Sequence, residues 1–342
     1  MADKILAKDK LDAFVGKLGE GREVFAPVLQ DGKLVWGAVE KAGDLASDFS
    51  NTEMSPKHFF FPQTECMMRF KNQKDDPEGF IMKAEPLLET PRVLLNIRPC
   101  DAKAFQVLDL IFVQDAMTDD LYWRDKREKT TLVGLACNNP CATCFCTSVN
   151  CGPHHEVGLD LLLVDLGDKF LVKELTDKGA ALTGGLPAAE AADTQKAMEL
   201  KTAAEGAIQS KVSMDKVNSS EVMDLYQLPL WDRVHESCLN CGTCTYVCPT
   251  CHCFDIQDEV QGTEGRRVRN WDSCMSWLFT MHGTGHNPRG KKKDRVRQRF
   301  LHKFKYIPVK RDGEIGCVGC GRCSRLCPVN IDVREVVNAM NS

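Results

Sequence analysis

Apolar and polar positions in the first half of the chain alternate with the periods of short strands and helices. Residues Leu11–Leu18 form an amphipathic helical pattern. Residues 22–28 and 34–39 alternate as two strands around an Asp31-Gly32 hairpin turn. Phe59-Phe60-Phe61-Pro62 ends a buried apolar run, and Phe80–Ala84 reads as a further strand. The run Arg92–Ile97 predicts a buried strand feeding a helix with Phe105, Leu108 and Phe112 on one face, and Asp101 is placed to cap it. Residues 130–136 predict another strand, and residues 159–165 and 170–174 a hairpin across Gly167-Asp168. Strands alternating with helices make this half α/β. From about 187 to 212 the chain turns to Ala, Glu, Lys and Gln, with strong helix propensity and a thin apolar stripe. This stretch reads as a surface or connecting helix, so the expected division is an α/β domain over 1–186, a helical connector over 187–224 and a second domain over 225–342.

The 342 residues suffice for two or three domains, and 43% hydrophobic with 27% charged residues is ordinary for a globular protein. A net charge of −4 implies no particular partner. Eighteen cysteines change the picture. The N-terminus lacks the apolar core of a signal peptide, and no apolar run approaches the roughly 18 residues of a membrane span. Many thiols without an export signal point to a reducing cytoplasm and to metal ligation instead of disulfides.

The second domain is organised by two copies of one run. Cys238-x2-Cys241-x2-Cys244-x3-Cys248-Pro249 is followed by Cys317-x2-Cys320-x2-Cys323-x3-Cys327-Pro328. This is the pattern by which two-cluster ferredoxins hold iron–sulfur cubes, the fourth cysteine of each run serving the other cube. The expected sets are therefore Cys238, Cys241, Cys244 and Cys327 for one 4Fe-4S cluster and Cys317, Cys320, Cys323 and Cys248 for the other. Gly242 and Gly321 let the loops turn close to the cubes. Structural zinc fits poorly, because zinc sites pair two separated Cys-x2-Cys knuckles. The domain is thus expected to be a mostly α-helical ferredoxin-like fold.

A further group follows the predicted strands. Cys100 lies just past one, and Cys137, Cys141, Cys144 and Cys146 follow another. The ends of strands in open α/β sheets line the crevice where ligands sit. Cys100, Cys137, Cys144 and Cys146 are the preferred set for a third cluster, while zinc and plain buried thiols remain open on spacing alone. Cys66, Cys141 and Cys151 read as packed thiols. Cys251, Cys253 and Cys274 either pack beside the clusters or form another small metal site.

Several rare strings recur in order: Arg-Pro-Cys-Asp at 98–101, Cys-Phe-Cys at 144–146 with Gly152-Pro153, Cys-Pro-Thr-Cys-His-Cys-Phe-Asp at 248–255, Trp271-Asp-Ser-Cys274, Gly285-His-Asn-Pro-Arg289, His302-Lys-Phe304 and Gly316-Cys-Val-Gly-Cys-Gly-Arg-Cys323. Together they resemble a family of iron–sulfur subunits. It includes the β subunit of cytoplasmic sulfhydrogenases, the corresponding iron–sulfur subunit of anaerobic sulfite reductases, and related subunits of flavin oxidoreductases linked to heterodisulfide reductase. The resemblance spans roughly residues 57–335 and favours Cys100, Cys137, Cys144 and Cys146 as the N-terminal set. It implies a non-catalytic subunit that passes single electrons between a flavin- or NAD(P)-binding partner and a catalytic or further iron–sulfur subunit.

The long insert before the second run carries Arg266, Arg267, Arg269, Arg289, Lys291, Lys292, Lys293, Arg295, Arg297, Arg299, Lys303 and Lys305 against few acids. Three readings stand: a docking face for an acidic partner or nucleic acid, compensation for the charge of thiolate-ligated clusters, or a solvated helical face. The corresponding functional alternative is an iron–sulfur redox sensor binding nucleic acid. Residues 285–291 mimic the start of a phosphate loop, but Lys292 stands where Ser or Thr belongs and no strand precedes them. No dinucleotide fingerprint occurs, so a dinucleotide belongs to a partner. The histidines, His252 between two cysteines included, read as packed side chains, and no nucleophile–base pair stands out.

Overall fold

The computed structural model describes residues 3–47, 49–72, 80–114 and 118–342. Its N-terminal part is built on a seven-stranded sheet. The strands are β1 (Lys4–Ala7), β2 (Glu23–Gln30), β3 (Lys33–Ala38), β6 (Arg92–Ile97), β7 (Thr130–Leu135), β8 (Leu161–Asp165) and β9 (Lys169–Glu174), and their order is β1-β9-β8-β7-β6-β2-β3. β2, β6, β7 and β8 run parallel, and β3, β9 and β1 close the edges antiparallel.

The central strands are apolar throughout because both faces are covered. Val93, Leu95, Val133, Leu161 and Leu163 pack with Phe14, Val15 and Leu18 of the helix Leu11–Leu18. Leu94, Leu132, Leu162 and Val164 face the other way, onto Phe105, Leu108 and Phe112 of the helix Pro99–Phe112 and Trp123 of the helix Leu121–Lys129. Asn96 breaks the alternation. It takes a left-handed φ of 60°, the register of β6 on β7 shifts there, and Ile97 joins Leu94 on the same face. The strand therefore enters its helix one residue out of step, which places Cys100 in the first helical turn at the C-terminal edge of the sheet.

The cap expected of Asp101 is corrected. Arg98 precedes the first helical residue, and Asp101 sits buried inside the first turn with its carboxylate turned to Arg322. An oppositely charged, equally buried guanidinium is a stronger partner for it than a backbone N–H. The alanine-rich stretch forms the helix Ala191–Ala207, which packs on the sheet through Ala197.

A second, antiparallel sheet joins the two halves of the chain. β4 (Thr64–Asn72) and β5 (Phe80–Ala84) pair with β10 (Phe254–Gln261) and β11 (Glu264–Trp271) in the order β10-β11-β4-β5. Much of the insert is thus a hairpin. The rest of the C-terminal part is a set of short helices, the longest being Lys292–Leu301, which continues through a π-helical turn over His302–Tyr306. Its core holds Trp231, Phe300, Leu301, Phe304, Val337 and Met340, together with Phe145 and Val149 from the N-terminal part.

Candidate metal centres

The two cysteine runs fold as loop–helix units. Gly242 and Gly321 both adopt left-handed φ, 75° and 73°, and each opens a short helix, Thr243–Tyr246 and Arg322–Arg325. The thiols from the two runs interleave. Cys238, Cys241, Cys244 and Cys327 line one chamber, together with Met275, Phe300 and Arg299. Cys317, Cys320, Cys323 and Cys248 line a second, with Phe145, Arg299, Lys303 and Phe304. Among the described residues no three His, Cys, Asp or Glu side chains are grouped to hold a single metal ion. Thiols that ring a space suit a cube, whose irons each take one thiolate, better than zinc, whose four sulfurs stand about 2.3 Å from one atom.

A third chamber lies at the C-terminal edge of the parallel strands. Cys100 follows β6 and Cys137 follows β7. Cys141, Cys144 and Cys146 come from the loop after Cys137, and all five line the same space with Ser50, Asn51, Arg98, Gly319 and Cys320. Cys141 and Cys144 lie 3.0 Å apart, sulfur to sulfur. Two thiols that close would not cap two separate irons, so at most one of them could serve a cluster as ligand.

The three chambers adjoin in a row. Cys323 lines both the first and the second, and Cys320 lines both the second and the third. Glycine makes the second junction possible. Gly319 has φ 65°, its carbonyl accepts the Phe145 N–H at 2.9 Å, and a Cβ there would lie 2.5 Å from the Cys146 backbone. A Cβ at Gly321 would lie 2.3 Å from the Thr143 hydroxyl.

Buried cations accompany the thiols. Arg299 lines the first two chambers, and its Nε has no hydrogen-bond partner among the described residues. Burial opposes its charge, but the thiols of Cys244, Cys323, Cys251 and Cys248 push its pKa up. Burial likewise opposes the charge of Lys303, and Cys248, Cys251 and Cys317 hold it on. The Lys303 ammonium also donates to the Thr250 hydroxyl at 2.8 Å and the Gly316 carbonyl at 3.2 Å. Arg98, beside the third chamber, donates to the carbonyls of Ala136 (2.8 Å), Leu135 (3.2 Å) and Phe49 and lies over the Phe49 ring. Between the second and third chambers Arg322 makes a bidentate pair with Asp101 at 2.6 and 2.7 Å and donates to the Thr52 carbonyl at 2.7 Å. Burial pushes the thiols of Cys244 and Cys320 up to about 11 and about 12. Thiols so held keep their protons until a metal displaces them.

The insert divides its charge three ways. Arg266 and Arg267 pair with Glu259 and Asp258 across the hairpin, and buried Arg269 pairs with Glu65 and Asp120. Arg295, Arg297, Arg299, Lys303 and Lys305 are buried, so they form neither a solvated face nor a docking face. Arg289, Lys291, Lys292 and Lys293 remain at or near the surface. Of the other thiols, Cys274 is buried and packs with Cys253 beside the first chamber. The rings of His252 and His302 lie 5.6 Å apart, tilted by 57°, and burial holds them down to about 4 and about 3, neutral packed imidazoles. The pairing of Arg322 with Asp101 and the place of Arg98 beside the third chamber do not follow from the sequence pattern. The one available signal is an arginine and an aspartate next to candidate ligands, at Cys-Gly-Arg-Cys and Pro-Cys-Asp.

Comparison with known proteins points to iron–sulfur clusters in the C-terminal part. Residues 237–331 match the 4Fe-4S dicluster domain family. The chain is 29% identical over 332 residues to sulfhydrogenase 2 subunit beta of Pyrococcus furiosus, a match covering 95% of this chain and 94% of that one. No solved structure matches the chain.

Proposed function

We propose, for a chain that carries a 4Fe-4S dicluster domain and belongs with iron–sulfur subunits of the sulfhydrogenase β kind, that it relays single electrons within an oxidoreductase complex and catalyses no reaction alone. The observation that carries this reading is the row of three adjoining thiol-lined chambers, with Cys323 and Cys320 as shared walls. Iron–sulfur clusters, when bound, supply one-electron redox chemistry at potentials set by charge, hydrogen bonding and exposure. In this assignment Cys238, Cys241, Cys244 and Cys327 hold one 4Fe-4S cluster, and Cys317, Cys320, Cys323 and Cys248 the second. Cys100, Cys137, Cys144 and Cys146 hold a third, with Cys141 beside it.

The remaining residues shape these sites. Phe300, Phe304, Phe145 and Met275 exclude water from the chambers. Arg299, Lys303, Arg322 and Arg98 offset the negative charge of thiolate-ligated clusters, and this is the role the buried half of the insert best fits. Two partners complete the complex. One end of the row meets a flavin- or NAD(P)-binding subunit, and the other meets a subunit of the hydrogenase, sulfite-reductase or heterodisulfide-reductase type. A nucleic-acid sensor is disfavoured, because six of the insert's cations are buried, Arg269 among them, and Arg266 and Arg267 are paired across the hairpin.

Iron and acid-labile sulfide on anaerobically purified protein, with paramagnetic resonance during a redox titration, test the reading. About twelve irons and three one-electron centres are expected. Zinc without sulfide, or clusters that no low-potential donor reduces, overturns it. About eight irons would confine the wire to the C-terminal part.

A further inference from the structure

The eighteen cysteines are not equally hidden. Cys241 alone is exposed, and it lines the first chamber. The second and third chambers have no exposed thiol. The segments that line this chamber also carry exposed apolar side chains. Leu239 is 64% exposed, Tyr246 38%, Trp277 48% and Leu278 62%.

The rim of this patch is basic. From Met281 to Lys293 the chain has no acidic residue and carries Arg289, Lys291, Lys292 and Lys293, of which Lys293 pairs with Asp232 at 2.6 Å. Several contacts fasten this segment beside the ligand loop. The Lys292 ammonium donates to the carbonyls of Glu236 and Cys238, both at 3.1 Å. Arg295 ties the carbonyls of Arg289 and Gly290, at 3.0 Å each, to the Asn240 side chain at 3.4 Å. The Asn287 amide donates to the Trp277 carbonyl at 2.7 Å, which fixes the tryptophan loop to the same segment.

On the electron-transfer reading above, we propose that this face is the port of the wire: it docks an acidic redox protein, which exchanges electrons through the Cys238–Cys241–Cys244–Cys327 site. An apolar centre within a charged rim is the anatomy of a transient protein interface. The rim's sign selects an acidic partner and steers its approach. A second copy of this chain would bring the same basic rim against itself. The third chamber, which shares Cys320 with the second, then lies at the opposite end of the row and is left to the other partner.

The test uses the full-length, cluster-loaded protein and stopped-flow reduction by an acidic two-cluster ferredoxin, reduced beforehand and freed of excess reductant. The wild-type second-order rate is expected to fall roughly tenfold or more between low and high salt, as steered association does. Lys291→Glu with Lys293→Glu is expected to lower the low-salt rate about tenfold and flatten its salt dependence. Trp277→Ser with Leu278→Ser lowers the rate at every salt concentration. All variants must match wild type in iron content and in the extent of reduction by dithionite at equilibrium. A ferredoxin rate indifferent to salt and to both variants, or no reduction by ferredoxin where dithionite succeeds, overturns the port while leaving the electron-transfer reading intact. So does a salt-sensitive dimer, or binding to anionic vesicles, that the variants abolish without changing the ferredoxin rate. Clusters that neither donor reduces overturn the electron-transfer reading itself.

Discussion

The Arg322–Asp101 pair permits a quantitative test of how the two halves of the chain are joined. The guanidinium is 0% and the carboxylate 2% exposed, and two parallel contacts of 2.6 and 2.7 Å link them. Asp101 rides on the helix that carries Cys100, and Arg322 lies between Cys320 and Cys323. Removing one member leaves the other charge buried and unpaired, which costs roughly 3–5 kcal/mol. Asp101→Asn falls near the lower end, because an amide oxygen still accepts one bond and Arg322 keeps its 2.7 Å bond to the Thr52 carbonyl. Arg322→Gln falls near the upper end, because Arg322 is the ion-pair partner of Asp101 among the described residues. If the two losses added, the double variant would lose roughly 8 kcal/mol; a shared pair makes it little worse than Arg322→Gln, a coupling of about 2–3 kcal/mol. Anaerobic urea unfolding followed by tryptophan fluorescence, on preparations matched for iron, measures all three. A cost below about 1 kcal/mol for each single variant, with coupling near zero, would refute the claim that this ion pair fastens the halves together.

Arg299→Gln removes a cation that lines two chambers, and losing it disfavours the more negative reduced state of each cluster. At roughly 6–8 Å and an effective dielectric of about 20 the lost interaction is about 2–3 kcal/mol. In a redox titration both C-terminal potentials are therefore expected to fall by about 100 mV, and unchanged potentials would remove Arg299 from its role. Gly319→Ala drives a Cβ into the Cys146 backbone and is expected to destabilise the protein by more than 2 kcal/mol, roughly, with loss of iron from the third site. Gly313→Ala, equally left-handed at φ 85° but with open space around it, is the control and should cost only about 1–2 kcal/mol. Iron analysis of two single variants settles the close thiol pair: Cys144→Ser should lose about four irons and Cys141→Ser none, whereas the opposite result would make Cys141 the ligand.

The sequence was most legible where local pattern and chemistry coincide. The helix Leu11–Leu18 and the strand Arg92–Ile97 have the bounds their periodicity implies, and the interleaved sets of the two cysteine runs line two separate chambers. Long-range pairing was not legible. β4 alternates poorly, because Glu65 faces inward to buried Arg269 where an apolar residue would have marked a strand. The hairpin of β10 and β11 was hidden for a similar reason. β10 is exposed along its whole length, so no apolar face announced it. The basic insert misled in the opposite direction. A charge run says nothing about burial, and Arg299 and Lys303 are inside because thiols surround them.

The second sheet also sets an order of events during synthesis. β4 is complete by Asn72, but its partner β11 runs from Glu264 to Trp271. For most of translation that edge of β4 has no strand to pair with, the kind of exposed edge that invites misassembly. The same delay holds for Cys100, Cys137, Cys144 and Cys146, whose chamber lacks its Gly319–Cys320 wall until the chain is nearly finished. Assembly therefore closes from the C-terminus backward, and a nascent chain released early would leave both a bare strand edge and an open cage of thiols.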